Sequence, residues 1–135
     1  MILPHPLINP ASPHYDEGKR PAILDFEDRY TVAELYAWAK ITAAKYRARL
    51  GRKDDEAREL AKIATFDNYA AALATLSPTM RRYGLDPEEI PAALAYESFG
   101  IEWDYRPTTD SHINLDPDTY ERYVTDSIRA KKGTA

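Results

Sequence analysis

The sequence predicts an all-α fold, with an antiparallel helical hairpin at its core, further short helices, and a proline-rich N-terminal arm. Three observations point that way. Residues 31–50 and 54–76 both carry apolar side chains at helical spacing. Only a short basic loop, Gly51-Arg-Lys53, separates them, so the second helix must fold back on the first. Pro4, Pro6, Pro10, Pro13 and Pro21 crowd the segment before them, where they oppose helix formation. The chain therefore divides into an extended arm, residues 1–30, and a single helical domain, residues 31–135. A chain of 135 residues is one domain with enough length to bury a real core.

Within the arm, Ile2, Leu3, Leu7 and Ile8 need an apolar surface, and Ile23, Leu24 and Phe26 form the last anchor. His5 and His14 read as ordinary loop histidines, since nothing at helical spacing joins them into a metal pair. Thr31-Val-Ala-Glu34 is a capping box that opens the first long helix. Val32, Leu35, Tyr36, Ala39, Ala43, Tyr46 and Leu50 form its core stripe. Glu34, Trp38, Ile41 and Lys45 line the other side, where Trp38 and Ile41 imply a second buried contact.

The second long helix begins at Asp54, an expected N-cap, with Asp55, Glu56 and Glu59 near the positive end of its dipole. Ser77-Pro78 is expected to stop it. Leu60, Ile63, Ala64, Ala71 and Ala74 share one stripe, while Phe66, Tyr69, Leu73 and Leu76 lie nearly opposite. A helix apolar on two sides is covered on two sides, which makes this one central. Asp67 falls among the small residues and needs a partner or a use.

Arg81 and Arg82 sit in a short turn closed by Gly84. Asp86-Pro-Glu-Glu89 reads as another helix start, with a kink or restart at Pro91. Ala92 to Phe99 is helical and Gly100 ends it. Residues 101–115 are irregular or briefly extended, with Ile101, Trp103 and Tyr105 alternating like a half-buried strand. Asp116-Pro117 opens a last helix reaching about Lys132, with Tyr120, Tyr123, Val124 and Ile128 inward.

Composition narrows the function classes. A net charge of −4 argues against a nucleic-acid binder, which needs clustered Lys and Arg. Cysteine is absent, so disulfides and thiolate metal sites are excluded. No apolar run nears the roughly 18 residues of a membrane span and no signal peptide opens the chain, so a cytoplasmic protein is expected. Phosphate loops, zinc-protease helices and nucleophile elbows are missing. Carboxylates remain. Glu56 and Glu59 lie on one helical face at a spacing that can hold Mg²⁺, and both equally suit the helix dipole. Asp67 shares an azimuth with Glu56 but lies about 16 Å along the axis, so one ion cannot bridge the two.

Tyr15-Asp-Glu-Gly-Lys-Arg-Pro, followed by a helix ending Ala44-Lys45-Tyr46, resembles the opening of the phage-type dATP/dGTP diphosphohydrolase family, which is MazG-like. Asp86-Pro-Glu, Ile90-Pro91 and Leu94-Ala95 resemble a later stretch of the same family, so the likeness covers residues 15–98. It implies an all-α enzyme that cleaves a deoxynucleoside triphosphate to monophosphate and pyrophosphate with Mg²⁺ or Mn²⁺. In that reading Glu56, Glu59, Asp67 and Asp86 gather the metal, Asp67 also being catalytic, and Lys19 and Lys45 neutralise phosphate charge. The chain departs from the family at Asp67-Asn68, where an Arg-His pair is usual, and at Ala93 and Tyr96, where histidines are expected. A second class therefore stays open: a non-enzymatic helical interaction protein using its arm and the Trp38/Ile41 face. That apolar surface also leads us to expect a homo-oligomer, with no nucleic-acid or membrane partner.

Overall fold

The computed structural model describes residues 2–8, 21–52, 55–106 and 115–133. Along the chain come β1 (Leu3–Pro4), α1 (Ala22–Arg29), α2 (Val32–Ala48), α3 (Glu56–Arg82), α4 (Ala92–Phe99), β2 (Trp103–Asp104) and α5 (Pro117–Lys132). The fold is all-α. Among the described residues its only sheet is the parallel pair of β1 and β2, with Leu3 opposite Trp103 and Pro4 opposite Asp104.

The start of α2 shows how local sequence and tertiary packing cooperate. Both bonds of the capping box form, Thr31 N–H to Glu34 Oε1 at 3.0 Å and Glu34 N–H to Thr31 Oγ1 at 3.2 Å. Two further N–H groups of the first turn would otherwise be orphans. Val32 donates to the Ile90 carbonyl at 3.1 Å and Ala33 to the Pro87 carbonyl at 2.9 Å. Residues 86–90 are thus a turn that caps α2, not the expected helix start. Asp86 closes that turn by accepting from the Glu88 N–H at 2.9 Å, and α4 begins only after Pro91.

The α2–α3 pair is antiparallel, as expected: Trp38 meets Tyr69, while two turns on along α2, Tyr46 meets Lys62. Asp55 is the N-cap of α3, accepting from the Ala57 N–H at 3.2 Å; Asp54 lies outside the described residues. Ser77-Pro78 does not end this helix, which continues to Arg82. Pro78 is exposed, so its ring and its missing N–H fall on the solvent side. Leu76 before it and Met80 after it are both fully buried, and their packing carries the helix through. The small-residue stripe is also corrected. Leu60, Ala64 and Ala74 are exposed and Ala71 is half-buried, leaving only Ile63 of that set in the core. The opposite stripe supplies Tyr69, Leu73 and Leu76, joined by Ala72 and Met80. The helix is nevertheless central, packed against α2 on one side and α5 on the other.

The arm is not wholly extended. Ala22-Ile-Leu-Asp-Phe-Glu-Asp-Arg contains no proline, and Pro21 suits a helix entry, so α1 forms where an extended anchor was expected. Leu3, Ile8 and Ile23 enter the same core cluster as Tyr69, Phe99 and Val124, so this segment is part of the helical domain's interior. The predicted Ile101/Trp103/Tyr105 alternation is present around β2, with Ile101 and Trp103 buried and Tyr105 half-buried. α5 follows its predicted span and holds both strands. Tyr120 donates to the Pro4 carbonyl at 3.0 Å and Tyr123 to the Glu102 carbonyl. Among the described residues, no helix is long and apolar enough to cross a membrane.

Candidate functional site

Two buried carboxylates stand out, Glu27 on α1 and Glu59 on α3, each with essentially no exposed surface. Glu27 is reached from four other segments. His5 Nε2 lies 3.0 Å from its Oε2, the Tyr69 hydroxyl donates to Oε2 at 2.7 Å and the Tyr105 hydroxyl to Oε1 at 2.8 Å. The Tyr96 hydroxyl also donates to Oε2. His5 Nδ1 accepts from the Leu7 N–H at 3.1 Å, which places the ring proton on Nε2, pointing at Glu27. Burial pushes the Glu27 carboxyl up, but the His5 ring and the hydroxyls of Tyr96 and Tyr69 outweigh it and hold the group below its ordinary value. Burial, followed by the Glu27 charge, pushes Tyr69 and Tyr96 well above the ordinary tyrosine value.

Three of these donors converge on Oε2 and one reaches Oε1. With four donors on it and no exposed surface, Glu27 serves the fold. It ties the N-terminal segment, α1, α3, α4 and the end of β2 to one point. Sequence reading missed this centre. Ile23 and Glu27 are one helical turn apart on a helix that was read as extended chain, and His5 was read as a loop residue.

Glu59 is the opposite case. Among the described residues, neither of its carboxylate oxygens has a hydrogen-bond partner. It lies in the first turn of α3, beside exposed Glu56, at the end of the hairpin where α2 runs into α3. A buried polar group without a partner is rare and calls for a function or a ligand.

The remaining site residues fall apart. Asp67 is ion-paired with Arg47 of α2, and the two side chains are 31% and 54% exposed. The carboxylate among alanines is thus half-exposed and matched by a cation. Asp86 is exposed in the turn that caps α2. Lys45 is exposed with its Nζ 5.1 Å from the centre of the Tyr46 ring. Lys19 lies outside the described residues. Among the described residues, no three His, Asp or Glu side chains gather as a metal cluster, so Glu56, Glu59, Asp67 and Asp86 do not converge. The helical rise already separates Glu56 from Asp67, and α2 capping occupies Asp86 elsewhere.

On the α1–α2 face, Trp38 packs edge-on against Phe66 (5.4 Å), Tyr69 (6.4 Å) and Phe26 (6.2 Å), and Phe26 meets Tyr30 at 6.1 Å. The outer surfaces of Phe26, Tyr30 and Trp38 stay open, beside Ile41, which is 69% exposed. Comparison with protein-family models, with curated proteins and with solved structures finds no match to this chain.

Proposed function

We propose that the loop end of the α2–α3 hairpin is a metal-assisted nucleotide site, and that the protein is a small pyrophosphatase-like hydrolase of deoxynucleoside triphosphates. The observation that carries this reading is Glu59, a buried carboxylate with both oxygens unpartnered. An unpaired carboxylate is costly to bury, and a cation that completes it removes that cost. Glu59 would hold Mg²⁺ or Mn²⁺ together with Glu56, which sits one turn earlier on the same helical face. Two carboxylates are a sufficient protein share for Mg²⁺, which keeps water ligands and takes the rest from phosphate oxygens. When bound, such an ion supplies Lewis-acid stabilisation of a phosphoryl oxygen and a more acidic water. Asp67 is neither ligand nor base in this reading, because Arg47 engages it; Asp86 serves the fold.

The test is pyrophosphate release from dATP or dGTP with Mg²⁺ or Mn²⁺, by the wild type and by Glu59→Gln. Metal-dependent turnover that disappears in the folded variant supports the reading. A wild type inert with every deoxynucleoside triphosphate and both metals sinks it.

A second reading is favoured by a separate observation, the open strip of Phe26, Tyr30, Trp38 and Ile41. Aromatic anchors of this kind are typical interface residues, and the strip suits a second copy of the chain. Sedimentation at micromolar concentration is expected to give a dimer or larger species that Trp38→Ala weakens. One 15.4 kDa species would rule this out.

A further inference from the structure

We infer that Lys45, Arg49 and Lys62, gathered round the ring of Tyr46, form a subsite for a linear polyphosphate chain. The inference deepens the proposed function by naming what would hold the substrate's phosphates. The Lys45 Nζ lies 5.1 Å, the Lys62 Nζ 5.2 Å and the Arg49 Cζ 5.7 Å from the centre of that ring. Tyr46 in turn stacks on Phe66, with centroids 6.0 Å apart and planes at 23°. Lys45 lies in the last turn of α2, Arg49 is its C-cap residue and Lys62 lies on α3, so the hairpin itself brings them together.

Three positive charges round one ring need an explanation in a chain whose net charge is −4. No two of them are farther apart than about 11 Å, twice the larger ring distance, which is comparable to the screening length of physiological salt. They therefore repel one another. Cation–π attraction to a single tyrosine offsets only part of that. Among the described residues, none of the three is ion-paired with a carboxylate. Arg47, on the same stretch of α2, is neutralised by Asp67. Glu59, one turn from Lys62 on α3, accepts no hydrogen bond from it. Among the described residues, the carboxylates at this end of the hairpin thus leave the three cations available. An anion with several charges spaced along a chain satisfies all three at once, and an inorganic triphosphate is the simplest such molecule.

The probe is inorganic triphosphate, titrated calorimetrically into the full chain in the presence of a chelator, so that binding is read without metal. Binding is expected to weaken about tenfold for each of Lys45→Gln and Lys62→Gln, the loss of one charge-assisted contact. Lys40→Gln is the control, since Lys40 lies over a different ring, Tyr36, at 5.7 Å. It should leave the affinity unchanged. Absence of binding, equal loss with Lys40→Gln, or equal affinity for sulfate overturns the subsite. The two proposals fail separately. Triphosphate binding with the expected losses but no metal-dependent turnover upholds the subsite and sinks the hydrolase. Turnover that Lys45→Gln and Lys62→Gln leave untouched does the reverse.

Discussion

Glu27 and Glu59 are both carboxylates removed from water, on helices of the same small fold, yet among the described residues one is surrounded by four donors and the other by none. The contrast separates burial from purpose. At Glu27 the fold supplies the compensation that a buried charge requires, so the group stabilises the structure. At Glu59 the fold supplies no such compensation, so the group costs stability and stays free to bind. A search for function by burial alone would choose Glu27, whose network is larger and more conspicuous. Counting satisfied acceptors chooses Glu59.

The largest effect expected is at Glu27. Glu27→Ala leaves three hydroxyls and one ring N–H without their acceptor and should destabilise by about 3–5 kcal/mol, as breaking buried charged networks does. Chemical denaturation would measure it, and a loss below about 1 kcal/mol, the worth of an ordinary hydrogen bond, would show that the network is not the lock described. Its pH dependence has two limbs. Glu27 is held below its ordinary value of 4.5, so its contribution is present above that pH and is lost as pH falls through the lower folded value. Tyr69 and Tyr96 are raised above 10.0, so theirs is intact below pH 10.0 and is lost as pH rises beyond it. The stability gap between wild type and Glu27→Gln should therefore be flat through neutral pH and narrow in acid. A gap that widens in acid would contradict the assignment of a charged Glu27.

At Glu59 the sign should reverse. Glu59→Met replaces an unpartnered carboxylate with an apolar side chain of similar length. It is expected to stabilise the protein by about 1–3 kcal/mol, the cost of an unsatisfied buried group. In the same variant, the thermal shift that Mn²⁺ produces in wild type should vanish. Destabilisation by more than about 1 kcal/mol would mean that Glu59 has a structural partner and that the two carboxylates do not differ as described.

Much of the fold was legible from local signals. The Thr31/Glu34 capping box, the Ala92–Phe99 helix with Gly100 behind it, and the Asp116-Pro117 helix start all depend on neighbouring residues, and all are present as read. Gly100 sits at φ 69°, where a side chain would be strained. Two of the misreadings share one cause, which is tertiary compensation for a local penalty. Burial of Leu76 and Met80 carries α3 through Pro78, and carbonyls lent to α2 turn an apparent helix start at Asp86 into a cap. The site was legible only in part. Glu59 carried a readable signal, acids three apart on one face, but its lack of partners belongs to packing. The Glu27 centre joins Glu27 to a residue 78 positions further along the chain, a distance no periodicity can connect.

The smallest effect is expected at Asp67, and it calibrates the other two. By sequence, a carboxylate among alanines promised either a metal ligand or a costly buried pair, with opposite consequences for Asp67→Asn. The structure supplies the pair, with Arg47 of the neighbouring helix, but not its burial, since Asp67 is 31% exposed and Arg47 is 54% exposed. Solvent screens the attraction, and holding a long arginine side chain in one geometry costs entropy, so such pairs contribute about 0–1 kcal/mol. Asp67→Asn should therefore shift stability by less than about 1 kcal/mol, and the shift should shrink further in high salt, where exposed pairs are screened. Nucleotide turnover, if present, should survive it, because Asp67 takes no part in the proposed site. Loss of turnover with stability unchanged would return Asp67 to the chemistry and make Arg47 its positioning partner. A loss of several kcal/mol that salt does not reduce would place Asp67 with Glu27 among the compensated, structural carboxylates.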